Sequence, residues 1–397
     1  MAEQEEKRAR IQRATHDDDN DKRSKLDPIP LDLISEILSR LPAKSLVRSL
    51  CVSKLWSSLT KHSSFINSFA TRSSERPPRN LVTFSVESKR FVFSVPQDRN
   101  PDRSFSSMDS YQMTNHKVMR FLLSKSVQGL VLLTGFLIWN PTMRRFLNLS
   151  QPKTRNLGMS FLGYDPLEGK HKLLHVDREH SKSAWILTLG AQESWRKISK
   201  DMPFCSSFGE RCGRCFNGIL YYSACFCTHP SGRPLEYHIV RFDVRSEKFN
   251  LIKPPKGTFA LVDHMMIPYE GRLALVSPTI SDDNKVEIYI LQDADGQKWT
   301  HKRFRVPSMK DTREGRRLSD LRFHDVTDAG EFIFAPKSFS ESFYILYFDP
   351  RRKSIREEVW FEGISGDEFR RRYGLRDHEI RDLHIFPNHF ESIVSCL

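Results

Sequence analysis

The chain has 397 residues, 39% of them hydrophobic and 28% charged, which suits two or three soluble domains and excludes a low-complexity or collagen-like polymer. Its formal charge is +13, and its seven cysteines are odd in number and unevenly spread, which excludes an even disulfide framework and fits a reducing, intracellular compartment. The longest apolar stretch, residues 129–139, is too short to cross a bilayer, and the charged stretch from Met1 to Asp27 does not read as a signal peptide.

Residues 1–27 are polar and aperiodic, with the acidic run Asp17-Asp18-Asp19-Asn20-Asp21 followed by Lys22-Arg23-Ser24-Lys25, and are expected to be a disordered leader. The basic tetrad also fits a nuclear-import signal. Residues 28–70 read as a small helical motif. Pro28 and Pro30 stand where a first helical turn tolerates proline, and Asp32 places negative charge at that end. Leu31, Ile34, Ile37, Leu38 and Leu41 recur at three- and four-residue steps as one apolar stripe. Pro42 disfavours helix at the residue before it, so this helix should stop near Leu41. Leu46, Val47 and Leu50 mark a second helix, and Ser53 is a candidate N-cap for a third carrying Leu55, Trp56 and Leu59. A unit of this size rarely buries such stripes alone, so a partner is expected to cover part of them.

The run resembles the F-box, the motif that docks onto the Skp-type linker subunit of cullin-based ubiquitin ligases. The matching positions are Pro30-Leu31, Ile34, Ile37-Leu38, Leu41-Pro42, Leu46, Cys51-Val52-Ser53-Lys54 and Trp56. The resemblance implies that Pro30, Leu31, Ile34, Ile37, Leu38, Leu41, Pro42, Leu46, Cys51, Val52, Lys54 and Trp56 bind the linker subunit.

Residues 71–80, with Ser73-Ser74 and Pro77-Pro78, read as a linker, and from Leu81 the pattern turns to strands. Leu81 to Val86 and Arg90 to Val95 alternate around a short turn. Hairpin turns then recur at Asn140-Pro141, Gly190, Asp243-Val244, Asp293 and Asp349-Pro350, with a further one at Asp165-Pro166. A second element, glycine followed by an apolar strand, begins at Gly129, Gly218, Gly271 and Gly330. A period near 50 residues built from short strands predicts a kelch-like β-propeller of about six blades over 81–397. The fold class expected is thus α+β multidomain, a small helical F-box followed by an all-β propeller.

This second region is similar to the F-box-associated domain of a large plant family. The resemblance rests on Gln128-Gly129-Leu130-Val131, Ile138-Trp139-Asn140-Pro141-Thr142 with Arg144-Arg145-Phe146, and Gly163-Tyr164-Asp165-Pro166. It continues through Ser194-Trp195-Arg196, Asn217 to Tyr222, Tyr269 to Leu273, Phe348-Asp349-Pro350 and Asn388 to Ser392. One departure is Leu147-Asn148-Leu149, where the family usually has Leu-Pro.

Cys205, Cys212, Cys215, Cys225 and Cys227 with His229 allow a zinc reading, but their strand positions favour buried structural thiols. His171, His175 and His180 lack a matching carboxylate spacing and read as strand histidines. The chain contains no Gly-rich phosphate loop, Gly-x-Ser-x-Gly elbow or His-Glu-x-x-His. No cofactor and no metal are expected, and the sequence does not identify target-binding residues. The resemblances imply a non-catalytic receptor subunit: the F-box would hold the linker subunit, and through it a cullin–RING core, while the propeller holds a target protein. Its expected place is the nucleus or cytoplasm, with no membrane partner. The alternative is a propeller outside the ligase that binds nucleic acid or another acidic partner, motivated by the +13 charge. A solvated basic surface is favoured over nucleic-acid reading, since no basic cluster is interleaved with stacking aromatics. A propeller hydrolase or lyase would need convergent carboxylates that the sequence does not locate.

Overall fold

The computed structural model describes residues 29–87, 89–97, 109–113, 125–133, 136–154, 158–177, 183–190, 194–198, 213–227, 235–256, 264–293, 298–307, 317–339, 342–361, 367–376 and 380–394. The chain divides into two compact units at Phe65/Ile66. The first contains helices α1 (Leu31–Arg40), α2 (Ala43–Ser49) and α3 (Lys54–Leu59), and α4 (Ser63–Ser74) begins in it. Leu41 closes α1 in an extended conformation, φ −70° and ψ 147°, because the following Pro42 excludes the helical one. Ser53 occupies the N-cap position of α3 with extended backbone, but its hydroxyl makes no capping hydrogen bond. Residues 71–80, expected as a linker, hold the end of α4 and the first two residues of the first strand.

The second unit is a six-bladed propeller. Blade 1 contains β1 (Arg79–Val86), β2 (Lys89–Pro96) and β3 (Asp109–Met113). Blade 2 contains β4 (Val131–Leu132), β5 (Leu137–Asn140) and β6 (Arg145–Asn148). Blade 3 runs β7 (Gly158–Asp165), β8 (Lys170–Asp177), β9 (Ala184–Thr188), β10 (Arg196–Ile198), and blade 4 runs β11 (Gly213–Phe216), β12 (Ile219–Cys227), β13 (Leu235–Asp243), β14 (Phe249–Ile252). Blade 5 runs β15 (Met265–Tyr269), β16 (Arg272–Val276), β17 (Lys285–Leu291), β18 (Trp299–Arg305), and blade 6 runs β19 (Leu321–Val326), β20 (Phe332–Pro336), β21 (Phe343–Asp349), β22 (Ser354–Phe361). A short helix α5 (Asp367–Tyr373) precedes the last strand, β23 (Arg381–His389). That strand does not start a seventh sheet. It pairs antiparallel with β1, Thr83 opposite His384, and completes blade 1 in the order β23-β1-β2-β3. The two ends of the domain therefore close the ring through backbone hydrogen bonds, leaving no open sheet edge at the seam.

The buried side chains fall into six clusters, one between each pair of neighbouring blades. The largest joins blades 5 and 6 through residues such as Ile288, Phe304, Phe332 and Phe348, and the one between blades 6 and 1 stacks Phe343 on Phe361 beside Phe84. Blade 2 meets blade 3 through Leu130, Ile138, Leu162 and Leu173. Each middle strand faces a neighbour on both sides, which explains why the alternation expected for Leu81–Val86 appears instead as nearly continuous burial.

Turn chemistry sets the hairpins. Gln128-Gly129, Asn217-Gly218 and Glu270-Gly271 each have positive φ at both central residues (48° and 78°, 50° and 73°, 50° and 74°). That is the type I′ turn, whose twist matches the strands it joins, and glycine takes its second position at no steric cost. These turns join the first and second strands of blades 2, 4 and 5. In blade 2 the first strand is reduced to one bridge, Val127 to Leu130. Asp165-Pro166 supplies the equivalent inner turn of blade 3, whereas Asn140, Asp243 and Asp349 start outer turns. In all four the carboxylate or amide oxygen accepts backbone N–H groups two or three residues on: Asp349 Oδ1 from Arg351 at 2.8 Å and Arg352 at 3.1 Å, for example. The fifth residue is left-handed each time, filled by Arg144, Gly169, Glu247 and Lys353.

Candidate functional site

The helical unit presents the first candidate surface. Helix α1 is held from within by a fork from Arg40 to Glu36 Oε1, at 2.9 Å from Nε and 2.7 Å from Nη2, with Asp32 and Arg40 complementing the helix dipole at opposite ends. Leu38, Ala43 and Leu46 are buried and form the interior side of this unit. Leu33 and Ile37, one turn apart and thus on one face of α1, are 51% and 54% exposed. Leu31, Val52, Leu55 and Ile29 are exposed as well. Among the described residues the propeller adds only Leu167 and Leu251 to the large exposed hydrophobics. Six of the eight therefore lie between residues 29 and 55.

The structure separates the twelve residues implied by the F-box pattern into three groups. Pro30, Leu31, Ile37, Pro42, Cys51, Val52 and Lys54 are exposed; Ile34, Leu41 and Trp56 are half-buried; Leu38 and Leu46 are buried. Leu38 and Leu46, expected at the docking surface, are already withdrawn from water in the folded chain and have little apolar area to offer a partner. Leu33 and Leu55, outside that pattern, are exposed. Leu33 stands four residues before Ile37, at the edge of the α1 stripe, so helical spacing was the available signal.

Three charged side chains of the propeller meet at its axis. First strands of successive blades touch one another (β7 with β11, β11 with β15, β15 with β19, β19 with β23) and surround that axis. Lys125 precedes the first-strand bridge of blade 2, Arg214 lies on β11 and Asp325 on β19. Asp325 Oδ2 receives Arg214 Nη1 at 2.7 Å and sits 3.5 Å from Lys125 Nζ, which also donates to the His324 carbonyl. Burial by itself would push the Asp325 carboxyl up, but Arg214 and Lys125 outweigh it and hold it below the usual carboxylate range. This charged cluster ties blades 2, 4 and 6 together through the centre.

Of the histidines singled out in sequence, His171 and His175 belong to the core. His171 is buried, its ring Nε2 donates to the Val127 carbonyl at 3.0 Å, and burial lowers its pKa to about 4. Ser160 Oγ, His175 and Asp177 line up in the order hydroxyl, imidazole, carboxylate, at 3.0 Å and 3.5 Å. His175 is 4% exposed and flanked by the Phe136 and Trp195 rings, and its burial depresses protonation. The arrangement is a polar bridge between paired strands β7 and β8, where Ser160 and His175 are direct partners. Cys215 packs among apolar side chains, and burial pushes its thiol up to about 11, away from thiolate chemistry. Cys225 and Cys227 lie two apart on β12; Cys205, Cys212, His180 and His229 lie outside the described residues.

One end of the propeller is already covered. From Ile66 onward, α4 lies against the inner turns of blades 2 and 3 and the tail 390–394, enclosing a cleft of about 20 Å³, room for one water. Arg76 pairs with Glu391 and stacks over buried Phe69 at 5.4 Å. Asn67 approaches Gly169 so closely that any Cβ there would overlap its side chain. Of the four equivalent turns, only this one has glycine at the left-handed position.

Comparison with known proteins matches the F-box domain to residues 26–68 and the F-box associated beta propeller domain to residues 79–390. The chain is similar to the Arabidopsis thaliana proteins described as "Putative F-box protein At1g47730" (38% identical, covering 100% of both chains) and "Putative F-box protein At1g47790" (38%, covering 92% of this chain and 93% of that one). It is likewise 38% identical to "F-box protein At5g18160" of the same plant, over 94% of this chain and 92% of that one.

Proposed function

We propose, starting from the fact that the chain belongs to the F-box proteins with an F-box-associated β-propeller, that it is the substrate-receptor subunit of a Skp–cullin–F-box ubiquitin ligase. The observation that carries this reading is the concentration of exposed large hydrophobics in residues 29–55, six of the eight among the described residues. Covering Leu31, Leu33, Ile37, Val52 and Leu55 with the Skp-type linker subunit would withdraw about half of each side chain from water. That contributes about 1 kcal/mol apiece, about 5 kcal/mol together before ordering costs, so the residues bordering this face must add the rest of the affinity. Pro30, Ile34, Leu41, Pro42, Cys51, Lys54 and Trp56 border this face, while Leu38 and Leu46 support it from inside.

The chain forms no covalent intermediate. The linker subunit connects it to the cullin–RING core, and the propeller holds a target protein whose lysine is thereby kept near a charged conjugating enzyme. Its contribution is effective concentration and orientation. It acts in the nucleus or cytoplasm, where such cores operate.

The test is co-expression of the full chain with a Skp-type linker subunit and a cullin N-terminal half, followed by size-exclusion chromatography. Co-elution is expected for the parent and loss of it for a Leu33→Asp, Ile37→Asp variant. Equal recovery of parent and variant would remove the docking surface proposed here.

A further inference from the structure

The propeller end opposite α4 carries a built basic patch. β1 runs from Arg79, beside the covered end, to Val86 at the far end, where it turns into β2. Between β22 and β23 lies α5, the only α-helix after Arg79 among the described residues, and it sits at this far end. Phe369 and Tyr373 anchor α5 on Phe91, with ring centroids 5.0 Å and 4.9 Å away, and Phe369 also meets Phe84 at 6.3 Å. Gly374, at φ +60°, ends the helix, and Leu375 N–H closes it on the Arg370 carbonyl at 2.9 Å.

The arginines divide by role. Arg370 is buried and donates through Nη1 to the Arg376 carbonyl. Lys89 donates to the Tyr373 carbonyl, and Arg376 N–H donates to Glu87 Oε1 at 2.8 Å. These bonds fix the backbone that presents Arg371, Arg372 and Arg376, all exposed. Among the described residues no carboxylate forms an ion pair with any of the three guanidinium groups. Their backbone is fixed and Arg372 lies over the Tyr373 ring at 5.7 Å, so an anion meeting these cations has only side chains left to order, which favours a binding surface over a solvated fringe.

We propose that this patch, Arg371, Arg372 and Arg376 on the far end of blade 1, binds an acidic segment of the protein that the propeller recruits. The inference deepens the receptor reading above and rests on it for the identity of the occupant as a ubiquitination target. A protein segment fits better than nucleic acid for two reasons. Tyr373 is packed edge-on into the phenylalanine cluster, so the patch offers no free ring for a base to stack on. Three cations also supply fewer phosphate contacts than the six to ten or so that specific nucleic-acid complexes make.

The experiment uses the full chain co-expressed with the linker subunit and a short fluorescein-labelled poly-glutamate peptide, read by anisotropy at about 50 and about 200 mM salt. An Arg371→Gln, Arg372→Gln, Arg376→Gln variant should weaken binding about tenfold or more. A variant with the same charge loss at the other end, Arg351→Gln, Arg352→Gln and Lys353→Gln, should remain within about twofold of the parent. Each single variant should show part of the loss, so a folding defect in the triple variant leaves a readout. Absence of peptide binding by the parent, or equal weakening by the control, overturns the proposal. So does tighter binding of a single-stranded RNA of equal charge that is abolished by the triple variant. Co-elution with the linker subunit is scored separately: a chain that binds the peptide but never meets the linker keeps the patch and loses the ligase reading.

Discussion

Ile37 and Leu38 are neighbours on α1, yet Ile37 is 54% exposed and Leu38 2%. Replacing each with alanine should therefore separate docking from folding. Ile37→Ala removes three carbons, of which about half the area faces water. At about 0.8 kcal/mol per buried CH₂ a partner covering that half loses about 1.3 kcal/mol, close to tenfold in Kd. The folded unit itself should change by no more than about 0.5 kcal/mol, as is usual for exposed positions. Leu38→Ala instead opens a cavity and should destabilise the helical unit by about 2–5 kcal/mol. Calorimetric titration with the Skp-type linker subunit gives the affinities, and urea unfolding followed by circular dichroism gives the stabilities. If Ile37→Ala binds within about twofold of the parent, or unfolds as early as Leu38→Ala, exposure in the free chain does not mark the docking face.

Three further outcomes follow from the propeller. Asp325→Asn removes the buried carboxylate that Arg214 and Lys125 share at the axis and should cost about 3–5 kcal/mol in denaturant unfolding; an effect under about 1 kcal/mol would show that the cluster is solvated. Gly169→Ala should destabilise by about 1–3 kcal/mol through the overlap with Asn67 and the left-handed backbone, whereas Lys353→Gly at the matching position of the blade 6 turn should stay within about 1 kcal/mol of the parent by the same assay. Burial lowers the pKa values of His171 and His389 to about 4 and of His324 to about 3, below the unfolded value of about 6.5. The unfolded chain then binds more protons in that window, so stability is fully present above about pH 6.5 and falls by about 1.4 kcal/mol per pH unit per histidine down to the folded values. A flat stability profile between about pH 6.5 and 4.5 would contradict their burial.

Much of the architecture was legible because it is written in local backbone chemistry. Asn140, Asp165, Asp243 and Asp349 cap their own turns within three residues, so their spacing marks strand ends wherever the strands eventually lie. Pro42 stops α1 through a clash with the residue beside it. The positive φ of Gly129, Gly218 and Gly271 is likewise a property of four-residue turns. The candidate docking face was only partly legible, since a periodic stripe shows that a helix has an apolar side without showing which residues the chain itself consumes.

What the sequence determined by itself was the order of elements, the repeat length and the helical motif, all set by interactions between residues a few positions apart. Only the tertiary structure decided that β23 joins β1, that Lys125, Arg214 and Asp325 meet at the axis, and that Leu38 is spent inside while Leu33 and Ile37 remain outside. The physical reason is range. Turn geometry and helix periodicity are fixed by covalent neighbours, whereas strand pairing across the ring, charge pairing between blades and the division of apolar area between core and surface depend on groups brought together only when the whole chain folds.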